Sequence, residues 1–95
     1  MALNLLALKA LIFLASQNGI TGMVRISTPH LARVLGTSQQ SASRVLIRLE
    51  KERLIERRNV GRTGYARITE LGYRQLVDLY SDLRLVLERP LDYVI

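Results

Sequence analysis

The sequence predicts a mainly α-helical fold with one small β-hairpin, an α+β domain whose elements follow the order α-(β)-α-α-β-β-α. Two observations support this prediction. Apolar residues recur at helical spacing in several segments, and two β-competent runs surround a loop that contains glycine. The chain has 95 residues, enough for one core but not for two. We expect one domain over residues 1–89 and an extended tail or the start of a linker at 90–95.

The first two helices are predicted from their apolar residues and their end signals. Residues 3–15 form an almost wholly apolar helix, and Gly19 is expected to end it as a left-handed cap. A short apolar run that suits one strand follows. The second helix is short: Thr28 is expected to be its N-cap, Pro29 takes its first position, and Gly36 ends it.

A third helix begins after a very short turn. Ser38 is expected to cap it, and its apolar positions over residues 38–52 follow the spacing i, i+3, i+4, i+7. These positions are Ala42, Val45, Leu46 and Leu49. A helix, a tight turn that contains glycine, and a second helix together form a helix-turn-helix.

A hairpin and a last helix complete the predicted fold. Residues 54–58 and 65–69 are β-competent, and they flank a loop over residues 59–64. Thr69 then caps a helix that runs to about Glu88. A helix-turn-helix followed by a hairpin and a further helix is the order of a winged helix-turn-helix.

The positive charge of the chain lies in its middle. The formal net charge is +6, yet residues 25–67 hold ten Lys and Arg against three Glu, and the remaining residues are slightly acidic. This asymmetry is typical of a surface that binds a polyanion. The alternative is an ordinary solvated surface in an Arg-rich protein, since Arg outnumbers Lys 12 to 2.

The outward side of the third helix carries side chains that suit base recognition. Those expected to contact base edges in the major groove are Gln39, Gln40, Ser43 and Arg44, with Arg48 beside them. Ile47 shares this side, where it either meets a thymine methyl group or packs on a neighbouring element. An ordinary solvated helix face is the alternative for the whole set.

Phosphate contacts are expected at two helix starts and in the hairpin. The amides near Thr28 and Ser38 lie at helix N-termini, where the helix dipole favours anions. Arg58 and Arg62 are candidates for contacts to phosphates or to the minor groove. A flexible polar turn is the alternative for the hairpin loop. His30 either adds a phosphate contact or is inert.

The composition argues against an enzyme. The chain has no Cys, which excludes disulfides, thiolate chemistry and Cys-based zinc sites, and it has a single His. Asp78 and Asp82 lie four residues apart, but Arg74 precedes them by the same spacing, which favours an exposed ion-pair ladder. No glycine-rich phosphate loop is present. We therefore predict no catalytic residues, no metal and no cofactor.

The first and last helices carry more apolar surface than one core needs. In the last helix Tyr73, Leu76, Tyr80, Leu83 and Leu87 form one near-heptad stripe, and Leu79 and Val86 form a second. We expect the side with Leu76, Tyr80 and Leu83 to face the core. The other stripe is expected to bind a second copy and form a homodimer through the first and last helices. The alternative is that both helices only complete the monomer core.

The N-terminal apolar run predicts neither a signal peptide nor a membrane span. It lacks a basic segment before it, contains Lys9, and is far shorter than the roughly 20 apolar residues that cross a bilayer. We expect a cytoplasmic protein whose partner is double-stranded DNA.

The middle of the chain resembles winged-helix regulators related to the MarR group. The resemblance rests on ISTPHLARVLGTSQQSASRVLIRLEKERLIERR and on the later ITELGYRQL. This segment is most similar to the N-terminal DNA-binding domain of archaeal CTP-dependent riboflavin kinases that also regulate transcription. In that family a small β-barrel kinase follows the DNA-binding domain. No kinase motif fits within these 95 residues, so the resemblance carries over DNA binding and not kinase activity.

The sequence therefore predicts a sequence-specific DNA-binding transcription regulator. Two alternatives remain at this stage. One is a winged helix that binds only proteins, and the other is the regulatory part of a longer enzyme of the riboflavin kinase type.

Overall fold

The computed structural model describes residues 4–88, and the elements within them follow the predicted order. The helices are α1 (Leu5–Ser16), α2 (Thr28–Leu35), α3 (Gln39–Lys51) and α4 (Glu70–Leu87). The strands are β1 (Val24–Arg25), β2 (Ile55–Val60) and β3 (Thr63–Ile68). The mainly helical α+β fold is confirmed. The predicted tail at 90–95 lies outside the described residues.

The core lies where α1, α2 and α3 meet one face of the sheet. The apolar stripe predicted for α3 is buried, as are the inward residues of α2. From α1 the buried residues are Ala7, Ala10, Leu11 and Leu14, and from the strands and the turn before them they are Leu54, Ile55, Ala66 and Ile68. Because the side chains of Ala7 and Ala10 are small, α1 can approach its neighbours closely.

The sheet is antiparallel, and β3 is its central strand, with β1 on one side and β2 on the other. The strands are longer than predicted, because Val60 pairs with Thr63 and only two residues remain in the turn. The predicted six-residue loop is therefore wrong. Gly61 has φ +62° at the first turn position, a conformation that glycine adopts without cost and that closes a two-residue hairpin.

The end of α1 differs from the prediction in one residue. The left-handed residue is Asn18, with φ 69°, and not Gly19. Gly19 is needed for a different reason: its N–H donates to the Leu14 carbonyl oxygen at 2.7 Å, and a Cβ at this position would lie 2.6 Å from the same oxygen. Asparagine tolerates the left-handed region, so Asn18 can take that conformation. Glycine is required at position 19 because the backbone there lies so close to the Leu14 carbonyl oxygen.

The predicted helix caps are correct for α3 and α4 and wrong by one residue for α2. Ser38 accepts a hydrogen bond from the Ser41 N–H at 3.1 Å, and Thr69 accepts one from the Gly72 N–H at 3.1 Å. The cap of α2 is Ser27, whose hydroxyl accepts from the His30 N–H at 3.2 Å, whereas Thr28 is the first helical residue. Both residues are good caps and Pro fits either register, so the sequence does not separate them.

Thr69 joins the end of α3 to the start of α4. Its hydroxyl donates to the Arg53 carbonyl oxygen at 2.6 Å, and its N–H donates to the Leu54 carbonyl oxygen at 3.0 Å. Arg53 adopts φ 62°, and the Leu54 N–H bonds back to Leu49 at 2.9 Å to close α3. The two helices therefore share one hydrogen-bonded junction.

The second half of α4 extends past the core. Gly72 is its one fully buried residue, and Leu76 packs against the core. Tyr80 is 65% exposed and Leu83 is 48% exposed, so the prediction that they face the core is wrong for the single chain. At 100° per residue, the two predicted stripes, apart from Tyr73, merge into one apolar side about 120° wide that continues the Leu76 contact outward. Its members are Leu76, Leu79, Tyr80, Leu83, Val86 and Leu87.

Candidate nucleic-acid interface

Apart from Ile47, the outward side of α3 is polar, and it is free of carboxylates over its first three turns. Gln39, Gln40 and Arg44 are exposed, and Ser43 is half-buried at the flank of the same side. The buried stripe of α3 fixes this orientation, because it holds the opposite side of the helix in the core. The structure thus brings together the four residues predicted to contact bases. They form a surface that can donate and accept hydrogen bonds.

The three glutamates of the basic middle segment all pair with arginines of that segment. Arg48 pairs with Glu52 at 3.5 Å, Arg57 with Glu50 at 3.8 Å, and Arg67 with Glu56 at 3.0 Å. Within residues 4–88, seven of the ten basic side chains of the segment are left without a carboxylate partner. They are Arg25, Arg33, Arg44, Lys51, Arg53, Arg58 and Arg62. The unpaired charge is therefore entirely positive.

Arg48, one of the predicted contacts, already has a carboxylate partner. It forms an ion pair with Glu52, which lies one helical turn further along the chain. Together with Ser41 and Arg44 it lines a groove of about 240 Å³ beside the start of α1, where Asn4 and Leu6 form the other wall. Arg48 thus lies at the edge of the polar side of α3 and not at its centre.

A crevice of about 330 Å³ separates the start of α2 from the tip of the hairpin. Two residues predicted from the sequence, Thr28 and Arg62, meet in its lining. The Ile26 N–H donates to the Gly64 carbonyl oxygen at 2.9 Å, which joins the segment before α2 to the hairpin. With an arginine and hydroxyl groups in its lining, the crevice suits a phosphate.

Two further residues of the crevice were missed from the sequence. Arg25 and Asn59 also line it. Arg25 reaches the hairpin because β1 pairs with β3, a contact between residues about forty positions apart that no local pattern reveals. Asn59 was assigned to a loop, whereas it lies in β2 opposite Gly64. His30 does not line the crevice; its ring lies 5.7 Å from that of Phe13, between centroids, at an angle of 56°.

Arg58 lies on the face of the sheet that points away from the helices. Tyr65 is opposite Arg58 on one side and opposite Arg25 on the other, so these three residues form a row across the strands. The next pair on the same face of the sheet is Glu56 and Arg67, whose side chains make two hydrogen bonds of 3.0 and 3.1 Å. Hydrogen bonds from the Arg67 guanidinium lower the pKa of the Glu56 carboxyl below its ordinary value. Arg25 of this row lines the crevice, whereas Arg58 does not.

Residues 4–88 contain no group of three side chains placed to hold a metal ion. None of the helices described has the length and apolar character needed to cross a membrane.

The arrangement of α2, α3 and the hairpin is that of a winged helix-turn-helix, the class of domain found in many transcription regulators. Residues 3–64 match the MarR family, and the chain belongs to that family of winged-helix transcription regulators.

Solved structures of regulators have the same fold. The transcriptional regulator PA4135 superposes with a TM-score of 0.74 at 21% identity, over 96% of this chain and 65% of that one. The homodimeric winged helix-turn-helix DNA-binding domain of Mb0332 from Mycobacterium bovis superposes with a TM-score of 0.65 at 27% identity, over 92% of this chain and 77% of that one.

Curated relatives of similar sequence are riboflavin kinases. The protein from Thermococcus kodakarensis is 44% identical over 69 residues, which are 73% of this chain and 33% of the relative. The protein from Thermoplasma acidophilum is 42% identical over 62 residues, which are 65% of this chain and 28% of the relative. The chain thus spans about a third of the length of these relatives.

Proposed function

We propose that this chain is a sequence-specific DNA-binding transcription regulator, with α3 in the major groove and the hairpin on the DNA backbone or in the minor groove. The observation that carries the proposal is the unpaired positive charge on α3, β1 and the hairpin, since every glutamate of the segment is already paired. Double-stranded DNA is the polyanion that a MarR-family winged helix suits.

In this proposal, different elements contact the bases and the DNA backbone. Gln39, Gln40, Ser43 and Arg44 would contact base edges, because Gln pairs with adenine and Arg with guanine in the major groove. The crevice between Thr28 and Arg62, with Arg25 in its wall, would hold a phosphate. The amides at the Ser38 cap, Arg48 and Arg58 would add backbone contacts.

A homodimer through α1 and α4 is part of the proposal. The outer half of α4 keeps a continuous apolar side exposed, and α1 exposes Leu5 and Ile12. Monomers rarely leave such a surface uncovered. The similar domain from Mycobacterium bovis is itself homodimeric. A twofold dimer would present two α3 helices to a palindromic site in successive major grooves. We further propose that the protein acts in the cytoplasm without a catalytic role of its own.

Salt dependence of binding tests the proposal. If about six phosphates are neutralised, a plot of log K against log salt should have a slope of roughly −5. Fluorescence anisotropy with a labelled duplex, titrated at several salt concentrations, measures it. A slope near zero would exclude DNA as the partner and favour a winged helix that binds proteins.

The riboflavin kinases favour a second candidate. This chain matches about a third of each of them, so it would serve as the DNA-binding or regulatory part of a longer enzyme. The mass of the protein purified from its own cells distinguishes the two candidates. A mass near 10.8 kDa supports the separate regulator, and a markedly larger one supports the enzyme.

A further inference from the structure

Ile47 is an exception on the outward side of α3. All thirteen residues of α3 are described, and Ile47 is the one large apolar residue among them that is exposed, at 54%. The sequence left two alternatives for this side chain: contact with a thymine methyl group or packing on a neighbouring element. The exposure removes the second alternative for the single chain.

The position of Ile47 places it among the residues proposed to contact DNA. It lies one turn after Arg44 and two turns after Gln40, and Lys51 follows one turn later. At 1.5 Å per residue, Gln40 and Ile47 are about 10 Å apart along the helix, a distance that corresponds to about three base pairs. All four side chains leave the helix on the same side. Ile47 would therefore enter the same groove.

The chemistry of the major groove leaves one partner for an apolar side chain. Base edges there carry hydrogen-bond donors and acceptors, and the single apolar group is the C5-methyl of thymine. If Ile47 faced a donor or an acceptor, it would remove water from that group without replacing the hydrogen bond. Over a thymine methyl group it would bury apolar surface on both partners.

We infer that Ile47 is a specificity-determining residue that recognises the methyl group of one thymine in each half-site. The inference rests on the proposed function, because it requires α3 to lie in the major groove. It adds a base identity that the polar side chains do not supply.

Replacing thymine by uracil tests the inference, since uracil differs only by the missing methyl group. A duplex selected by the protein is prepared with each thymine of one half-site changed to uracil in turn, and Kd is measured by anisotropy. For the unmodified protein we expect one position at which uracil weakens binding about fourfold, the effect of one buried methyl. Ile47→Ala should bind the thymine duplex at least fourfold more weakly and should not distinguish uracil from thymine at that position.

The control variant is Leu85→Ala, which truncates an apolar residue of α4 that is more exposed than Ile47, at 69%, and lies away from the apolar side. It should retain the fourfold uracil effect. If no thymine is sensitive, or if Ile47→Ala keeps the sensitivity, the inference is wrong while duplex binding and its salt dependence still support the proposed function. If no duplex binds at all, both are wrong.

Discussion

Arg44 and Arg62 carry the same charge but lie in different surroundings. Arg44 is on the exposed polar side of α3, and Arg62 is in the two-residue turn of the hairpin and lines the crevice. A guanidinium among amide side chains suits a base edge, whereas one at the tip of a hairpin suits a phosphate. Replacing Arg44 should therefore change how strongly binding depends on the DNA sequence, whereas replacing Arg62 should not.

Arg44→Ala should weaken binding to the selected duplex by about 1–3 kcal/mol and reduce the preference over a scrambled duplex. Arg62→Ala should weaken both duplexes alike and make the salt slope less steep by about 0.9 for each phosphate lost. Kd values for both duplexes at three salt concentrations measure this. Arg74→Ala, on α4 and paired with Glu70, is the control and should change neither. Equal, sequence-independent losses for Arg44 and Arg62 would show that α3 does not read bases.

Gly72 is the residue whose replacement should harm the fold most directly. A Cβ there would overlap the Leu54 carbonyl oxygen and lie 2.8 Å from Cγ2 of Ile68. We expect Gly72→Ala to lower the free energy of unfolding by about 1–3 kcal/mol, despite the better helix propensity of alanine. Urea denaturation measures the loss. Gly22→Ala is the matched control, because its Cβ would meet no atom within 4 Å. Equal stability of the two variants would contradict the tight junction described above.

At the scale of elements, the helices were predictable and the hairpin only in part. The inward stripe of α3 and the caps Ser38 and Thr69 are local patterns, and the structure has them as predicted. The predicted hairpin loop is longer than the observed turn, because glycine is typical of loops and Gly64 was therefore placed in the loop. It is in fact a strand residue whose Cβ would lie 3.2 Å from the Ile26 carbonyl oxygen. That contact is long-range, and the sequence gives no local sign of it.

The Glu56–Arg67 pair should make the stability of the hairpin depend on pH. The folded state lowers the pKa of Glu56, so the pair stabilises the fold above the ordinary Glu pKa of about 4.3, and this is lost as the pH falls through the lowered value. The difference in Tm between the unmodified protein and Arg67→Met should be greatest near neutral pH and shrink in acid. Arg67→Met in a Glu56→Gln background should have the same effect at every pH. A Tm difference that stays constant down to pH 3 would contradict this account.

At the scale of the whole molecule, the exposed apolar side of α4 is not part of the monomer core. Substitutions there should therefore affect the proposed dimer and not the folding of one chain. Leu83 and Val86 are 48% and 59% exposed, so charges at these positions should leave the monomer folded. The sequence predicted that α4 carries more apolar surface than one core needs. It did not show where the core ends, since this depends on how far α4 extends beyond its contacts with α1 and β3.

Leu83→Asp with Val86→Asp should give folded monomers in sedimentation experiments and weaken binding to a palindromic site by at least about 100-fold, because the two half-sites are then bound independently. Leu85→Asp is the control: Leu85 is 69% exposed but lies on the opposite side of the helix, so the dimer should persist. If the unmodified protein is a monomer at tens of micromolar and still binds one half-site tightly, the dimer is not required.

The hydrogen bonds of Thr69 have a consequence for the DNA. They fix the end of α3 to the start of α4, so in the proposed dimer through α1 and α4 we expect the two α3 helices to be held at one separation. One extra base pair between half-sites rotates the second by about 34–36° and shifts it by about 3.4 Å. A fixed junction cannot follow this change. Sites recovered from random DNA should therefore share one spacing between their two halves, whatever the bases between them.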